Sequence, residues 1–350
     1  MRLVIYVDMD YFFAACEEVR RPEFRGKPFV VGTNSEKDKL RGVVQAANYE
    51  ARKFGIHSAM PTSDAFKLCK ELQYSPPDDA YYEDTSKRIM ELLSDYAKRI
   101  EVDSIDEAAL EIEVGGYAEA LEKGRAVKER IKRDLRLPCT IGISTGKVIA
   151  KMACDSAKPD GIKTVEANEI KDFLKDKDVE RIPGVGEKTA KKLAALGVRR
   201  IGDLAKTDPM VLIDALGSFG RELFLIANGT DESIVEENVG AVSISRERTL
   251  ERNAKNVAEI EATLNLLADE VITEAKRQKL MFKNIGVKAR YFDFTDRLKS
   301  RSLNSYTDSR ETVITTAMSL FKGLFNDKPV RKIGIRVSSL ISVKGQRNLF

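Results

Sequence analysis

Two apolar segments of this chain run into carboxylates where a buried strand should carry none. In "VIYVDMD" a period of two places Val4, Tyr6, Asp8 and Asp10 on one face. In "SIDEA", between "RIEVD" and "ALEIEV", Asp106 and Glu107 stand side by side. Acids that end a buried strand are costly unless they are paired or bound to a cation. Neighbours on a regular strand point to opposite faces, so a hairpin tip or bulge at "SIDE" is expected, able to aim both acids at one point. If the two strands are neighbours, Asp8, Asp106 and Glu107 form a three-carboxylate cluster, a hard oxygen set that selects Mg2+ or Mn2+. The plainer alternative is that each acid is a solvated charge at a strand end.

Other chemistries are poorly supplied. His57 is the single histidine, which leaves little for histidine-based catalysis or metal binding, and the four cysteines (Cys16, Cys69, Cys139, Cys154) are far apart with no C-x-x-C pair. They read as reduced core thiols. With 350 residues, 43% apolar and 33% charged, the chain can bury a large core in two to four domains. No apolar run reaches about 18 residues, and the acidic "MRLVIYVDMD" start is unlike a signal peptide; the expectation is a cytoplasmic protein with no membrane partner. Residues 242–350 hold 21 Lys and Arg against 12 Asp and Glu, a net of +9, which leaves −5 for the first 241 residues of a chain whose total is +4. A basic C-terminal part on a slightly acidic body points to a polyanion.

The patterning along the chain is mixed and then regular. Strands and helices alternate through residues 1–167, as in a mixed sheet with helices packed on it. Residues 168–235 read as helical with short loops, and "VEENVGAVS" as a linker. Beyond it, "VSISRERTL", "NVAEIEATLNLLADEVITEAKRQ", "NIGVKARYFDF", "RLKSRSLN", "SRETVITTAMSLFKGLF" and "VRKIGIRVSSLISV" spell β-α-β-β-α-β. That order predicts a four-stranded sheet with two helices on one face. Arg246 and Arg248 alternate along the first of these strands, Lys288 and Arg290 along the second; Lys332 and Arg336 oppose Ile333, Ile335 and Val337 on the last. The prediction is an apolar face on the helices and an open, basic face that tracks phosphates; charged strand faces are otherwise simply solvated. Upstream, "IPGVGEKTAKKLAALG" puts Gly184 and Gly186 in a tight turn before a helix that carries Lys188, a geometry whose backbone N–H groups suit a phosphate. Glycine turns between helices are also often purely structural. The spacing excludes a Walker A loop.

Taken in order, "VDMDYFFAACE", "GVVQAANYEARKFGI" followed by "MP", "SIDEA", "TIGISTGKVIAKMACDSAKPDGI" and "IPGVGEKTAKKL" resemble the Y-family lesion-bypass DNA polymerases, in their DinB-like polymerase IV branch. The likeness covers residues 1 to about 235 in motifs and the remainder in pattern. It implies an α+β multidomain, right-hand polymerase. Residues 1–20 and 78–167 would be a mixed-sheet palm, 21–77 small fingers, and 168–235 a helical thumb with a helix-hairpin-helix. Residues 236–244 would be a linker, 245–341 a β-α-β-β-α-β little finger, and 342–350 a tail.

The resemblance also implies roles. Asp8, Asp106 and Glu107, with the main-chain carbonyl of Met9, would hold two Mg2+ ions, for which Mn2+ could substitute; Asp10 is not carried over as a ligand. Tyr49 and Arg52, at i and i+3, together with Lys158, would grip the triphosphate of a dNTP. Phe13 would lie under the sugar and reject a ribose by shape, and Gly42, Val43 and Val44 would roof the nascent base pair loosely. Gly184, Gly186, Lys188, Arg246, Arg248, Lys288, Arg290, Arg331, Lys332 and Arg336 would meet primer-template DNA. "QRNLF" resembles the start of a sliding-clamp-binding peptide, with Gln346, Leu349 and Phe350 for clamp pockets, in a tail that is either short or cut. The expected molecule is a monomeric, low-fidelity DNA-directed DNA polymerase for translesion synthesis, without proofreading. A DNA-binding scaffold without catalysis and a palm-type nucleotidyl cyclase are the rival readings.

Overall fold

The computed structural model describes residues 1–33, 40, 42–237, 242–325 and 328–342. Gln346, Leu349 and Phe350, and part of the expected linker, lie outside them. The chain opens with β1 (Arg2–Met9) and turns through Tyr11 into α1 (Phe12–Arg20). A three-stranded sheet of order β3-β2-β4 follows, built from β2 (Phe29–Gly32), β3 (Val44–Ala47) and β4 (Gln73–Ser75), with α2 (Tyr49–Arg52) and α3 (Thr62–Leu68) between the last two. Asn48 fixes the entry to α2: its Oδ1 accepts the amides of Phe29 and Ala51, and its Nδ2 donates to Glu18 and to the Lys27 carbonyl.

Next come α4 (Asp79–Ser94), β5 (Arg99–Val102), β6 (Glu107–Glu113), α5 (Tyr117–Leu135), β7 (Cys139–Ser144), α6 (Lys147–Ala157) and β8 (Ile162–Thr164). Their five-stranded sheet has the order β5-β6-β1-β7-β8, antiparallel except for the β7–β8 pair. Central β1 is covered on both faces. Leu3, Ile5, Val7 and Met9 join a core with α4 and α5, while Val4 and Tyr6 pack with Ala150 and Cys154 of α6 and with Val235. Each fully buried side chain of this size contributes about 1.5–3 kcal/mol. Helix α6 lies so close to β7 that a Cβ at Gly142 would sit 1.9 Å from the Ala150 carbonyl oxygen.

Residues 168–235 are helical, as the patterning predicts: α7 (Ile170–Leu174), α8 (Glu187–Ala195), α9 (Ile201–Leu204), α10 (Pro209–Leu216) and α11 (Ser218–Ala227). Their core of Leu174, Leu193, Ile201 and Leu223 takes in Ile149, Met152 and Ala153 of α6. Residues 1–238 accordingly form one compact unit and 239–350 a second.

The second unit contains β9 (Ser243–Ala254), α12 (Ala258–Arg277), β10 (Leu280–Tyr291), β11 (Asp296–Thr307), α13 (Arg310–Lys322) and β12 (Val330–Ser342). The strands form an antiparallel sheet of order β11-β10-β12-β9. Ile285, Val287, Ile333 and Ile335 pack against Leu264, Leu267 and Val271 of α12 and Val313, Ala317 and Phe321 of α13. Among the described residues no helix is long and apolar enough to cross a membrane.

Candidate active site

Strand pairing brings the acids together. β1 and β6 are antiparallel neighbours with Asp8 directly opposite Glu107, and opposed residues project to the same face. Asp106 lies on the tip of the β5–β6 hairpin, where its carbonyl accepts the Met9 amide at 3.0 Å. Ser104 Oγ donates to Asp106 Oδ1 at 2.6 Å, and the amides of Asp103 and Ser104 close the turn on the Glu107 carbonyl at 3.0 and 3.3 Å. The tip expected at "SIDE" is thus present, with Asp106 on the turn and Glu107 as the first strand residue.

Lysines from α6 and the turn after it face these acids. Lys158 Nζ lies 2.5 Å from Asp8 Oδ2. Lys151 Nζ lies 2.8 Å from Glu107 Oε1 and 2.9 Å from the Tyr6 hydroxyl, which in turn donates to Asp103 Oδ2 at 2.8 Å. Burial pushes the Asp8 carboxyl up to about 8, aided by the hydrogen bond it shares with Glu107 and opposed by Lys158. Burial also raises Asp106. On Glu107 burial acts in the same direction, but the hydrogen bonds from Asp8 and Lys151 outweigh it and hold that carboxyl below its ordinary value.

These residues fit a divalent cation by their donor chemistry. Asp8 is buried at 3% exposure opposite Glu107, with Asp106 on the adjoining hairpin tip, all hard oxygen donors, and burial is the main reason it resists ionisation. Among the described residues no three acids are gathered in liganding geometry, since Lys158 and Lys151 each engage one carboxylate and Ser104 a third.

Asp10 is held differently. Its Oδ1 accepts from the Tyr49 hydroxyl and from Thr140 Oγ1, both at 3.0 Å, and its Oδ2 accepts the Asp160 amide at 2.8 Å. Burial, with Asp10 close by, raises the Tyr49 phenol. The Arg52 guanidinium lies 5.0 Å from the Tyr49 ring centre and donates to the Ala47 carbonyl. Of the two adjacent phenylalanines, Phe12 enters the core while Phe13 is half-buried and stacks on Tyr82 at 4.5 Å. Gly42 and Val44 are buried and Val43 is exposed; the Gly42 carbonyl accepts both the amide and the hydroxyl of Thr62 at 3.0 Å.

The glycine turn precedes α8 as expected. Gly184 has φ +88°, a left-handed conformation that favours glycine, and a Cβ there would lie 3.3 Å from Phe219. Gly186 is the N-cap residue of α8 with open space around it, and Lys188 is exposed.

The basic sheet needs a correction. Arg246 and Arg248 lie opposite Ile335 and Ile333 and therefore on the helix side, where Arg248 meets Glu270 of α12 at 2.7 Å and Arg246 approaches Glu274 at 3.8 Å. The open face carries Lys288, Arg290, Lys332 and Arg336, but two acids are set among them. Arg290 pairs with Asp296 at 2.6 Å, Lys288 lies 3.5 Å from Glu247 and 3.3 Å from Asp296, and Lys332 pairs with Glu247. Among the described residues Arg336 is exposed without an ion pair. Arg331 stacks over Phe294 at 5.1 Å.

Reasoning from sequence missed Lys151, Tyr6, Asp103 and Thr140. Lys147 and Lys151, four apart on one helix face and seven before Lys158, were the available signal.

The chain resembles known proteins along nearly its whole length. Residues 7–155 match the impB/mucB/samB family, residues 241–349 its C-terminal domain, and residues 167–198 the HHH motif of the IMS family. DNA polymerase IV of Methanoculleus marisnigri is 40% identical over 97% of this chain and 94% of its own length. DNA polymerase IV of Methanosarcina acetivorans is 38% identical over 100% and 99%. Among solved structures, a Y-family DNA polymerase chimera of Dbh and Dpo4 superposes with a TM-score of 0.89 at 32% identity, covering 97% of this chain and 99% of that one. DinB from Sulfolobus solfataricus gives 0.64 at 30%, with the same coverage. With its right-hand α+β architecture, the chain belongs to the Y family of DNA polymerases, in the DNA polymerase IV branch that carries out template-directed lesion-bypass synthesis.

Proposed function

We propose that Asp8, Asp106, Glu107 and the Met9 carbonyl hold two Mg2+ ions, with Mn2+ able to substitute. The observation that carries this reading is the register pair of Asp8 and Glu107 beside the hairpin tip, with Asp8 buried. When bound, such an ion pair stabilises the attacking and leaving oxygens of phosphoryl transfer. The chain's own groups do the positioning. Tyr49, set by Asp10, grips the triphosphate with Arg52 and Lys158, and Lys158 exchanges the Asp8 carboxylate for phosphate as the nucleotide enters. The primer 3′-oxygen bonds to the α-phosphorus, the bond to the β-phosphate oxygen breaks, and pyrophosphate leaves. Phe13, stacked on Tyr82, lies against the sugar and discriminates by shape, while Gly42, Val43 and Val44 roof the base pair. Small side chains in that roof support low fidelity at damaged bases, and the sequence offers no second carboxylate set for proofreading.

Primer-template DNA is met by Gly184, Gly186 and Lys188 in the thumb (168–235) and by Lys288, Arg290, Arg331, Lys332 and Arg336 in the little finger (245–341). Arg246 and Arg248 reach it only from the sheet margin. The palm (1–20 and 78–167) contains the five-stranded sheet, and the fingers (21–77) the three-stranded one. A cytoplasmic monomer, and a sliding-clamp contact through Gln346, Leu349 and Phe350, rest on sequence alone.

Primer extension on an undamaged template with Mg2+ and dNTPs tests the assignment. Wild type extends, whereas Glu107→Ala binds primer-template but loses extension by about a thousandfold or more, the scale on which electrostatic stabilisation of the transition state acts. Extension by Glu107→Ala at the wild-type rate would remove Glu107 from the site.

A further inference from the structure

We propose that Lys151 is the positioning residue for Glu107: it fixes one carboxylate oxygen so that the other is turned toward Asp8 and available to a divalent cation. The inference rests on the reading of Glu107 as a metal ligand. Lys151 Nζ contacts Glu107 Oε1 at 2.8 Å and the Tyr6 hydroxyl at 2.9 Å, and it lies 4.6 Å from the centre of the Tyr6 ring. Glu107 Oε2, which Lys151 does not contact, accepts only a longer bond of 3.3 Å from that hydroxyl, and Glu107 is the cross-strand partner of Asp8.

Lys151 and Lys158 differ in what holds them. Lys158 is bonded to an acid and sits just past the end of α6, where an arriving phosphate could take it over. Lys151 is gripped by a carboxylate and a hydroxyl at once, so it remains on Glu107 through the reaction.

The surroundings hold this lysine in register. Tyr6 donates to Asp103 Oδ2 at 2.8 Å, and Lys147, one turn earlier on α6, lies 2.5 Å from Glu101 and 3.6 Å from Asp103. The N-terminus of α6 has no side-chain cap of its own; Asp231 Oδ2 accepts the Ile149 amide at 3.0 Å and Ser233 Oγ the Lys147 amide at 2.9 Å. Val235, two residues on, is buried against Tyr6. A carboxylate oriented by a donor on its other oxygen is a common second element of metal sites, and loss of such a donor typically weakens metal affinity or activity about 10- to 100-fold.

The test measures Mn2+ binding to the full chain on primer-template DNA, by the electron paramagnetic resonance signal of free Mn2+, alongside steady-state extension. Lys151→Met keeps the stem and removes the charge. It is expected to weaken Mn2+ binding about tenfold and lower kcat by a similar factor, with the dNTP KM within about twofold, and Lys151→Arg to recover most of both. Mn2+ affinity that is unchanged or tighter in Lys151→Met overturns the proposal, because the lysine would then compete with the cation rather than orient its ligand. Should Lys151→Met fail to fold, Tyr6→Phe keeps the ring and removes the bridging hydroxyl; it must weaken Mn2+ binding in the same direction, and no change overturns the proposal. Glu107→Ala run in parallel separates the two levels: if it binds Mn2+ as wild type does, the ligand assignment falls and this inference with it, whereas loss in Glu107→Ala with none in Lys151→Met overturns this inference alone.

Discussion

Asp10 shows how an acid beside the proposed metal ligands can be structural. It is 1% exposed, and its carboxylate accepts from Tyr49, Thr140 and the Asp160 amide. Three donors directed at one buried group leave it little capacity for a cation, and its role is to fasten Tyr49 and the turn after Lys158. Asp10→Ala strands the fully buried Thr140 hydroxyl and frees the other two donors, so a loss of about 2–4 kcal/mol is expected in urea unfolding, against about 1 kcal/mol for Tyr49→Phe, which removes one donor. Extension by Asp10→Ala should fall far less than by Glu107→Ala. A stable Asp10→Ala protein as inactive as Glu107→Ala would show that Asp10 is itself a ligand. Much of this site was legible at the residue scale: the acids of "VDMD" and "SIDE" were visible because carboxylates interrupt apolar runs. Lys151 was not, since its partners Glu107 and Tyr6 lie 44 and 145 residues away and only strand order brings them to it.

Helix α6 is the element on which the proposed active site depends. It covers one face of β1, contributes Lys147 and Lys151, and ends at Lys158. Its distance from the sheet is set by Gly142 in β7, where a Cβ would lie 1.9 Å from the Ala150 carbonyl and 2.3 Å from the Cys154 amide nitrogen. Both obstacles are backbone, so Gly142→Ala must push the helix away. The expected result is destabilisation of about 1–3 kcal/mol or more by thermal or urea unfolding, together with loss of extension, because Lys151 and Lys158 move with the helix. Full activity in a destabilised Gly142→Ala would mean that the lysines do not depend on how α6 is seated. The sequence could not show this contact, although "TIGIST" reads as a strand, because a glycine in a strand does not say what approaches it. The same limit explains β9. Alternation correctly placed Arg246 and Arg248 on one face, but nothing in an edge strand with few apolar residues says which face. Their pairing with Glu270 and Glu274 of α12 decides it.

At the scale of the whole molecule, charge is divided between the two units. The +9 of residues 242–350 is offset by −5 in the rest. The β-α-β-β-α-β pattern was legible because each of its helices and central strands keeps its own period over a dozen residues or more. The reach of its charge was not, because ion pairs across the sheet depend on register. Glu247 and Asp296 neutralise part of the open face, and Arg336 is the exposed cation there without such a partner among the described residues. A cation already facing a carboxylate displaces fewer counterions when it meets a phosphate than a free one does. Primer-template affinity should therefore fall steeply with salt for wild type. Arg336→Ala is expected to reduce the slope of log affinity against log salt by about 1, the change that accompanies loss of one phosphate contact. Lys332→Ala, which removes a cation held by Glu247, should change it less. Filter or fluorescence-anisotropy titrations between about 50 and 200 mM salt cover the range in which such slopes are resolved. Equal slopes for wild type and Arg336→Ala would place the open face away from the DNA backbone, and binding would then fall to the sheet margin, where Arg246 and Arg248 could turn from α12 to phosphate.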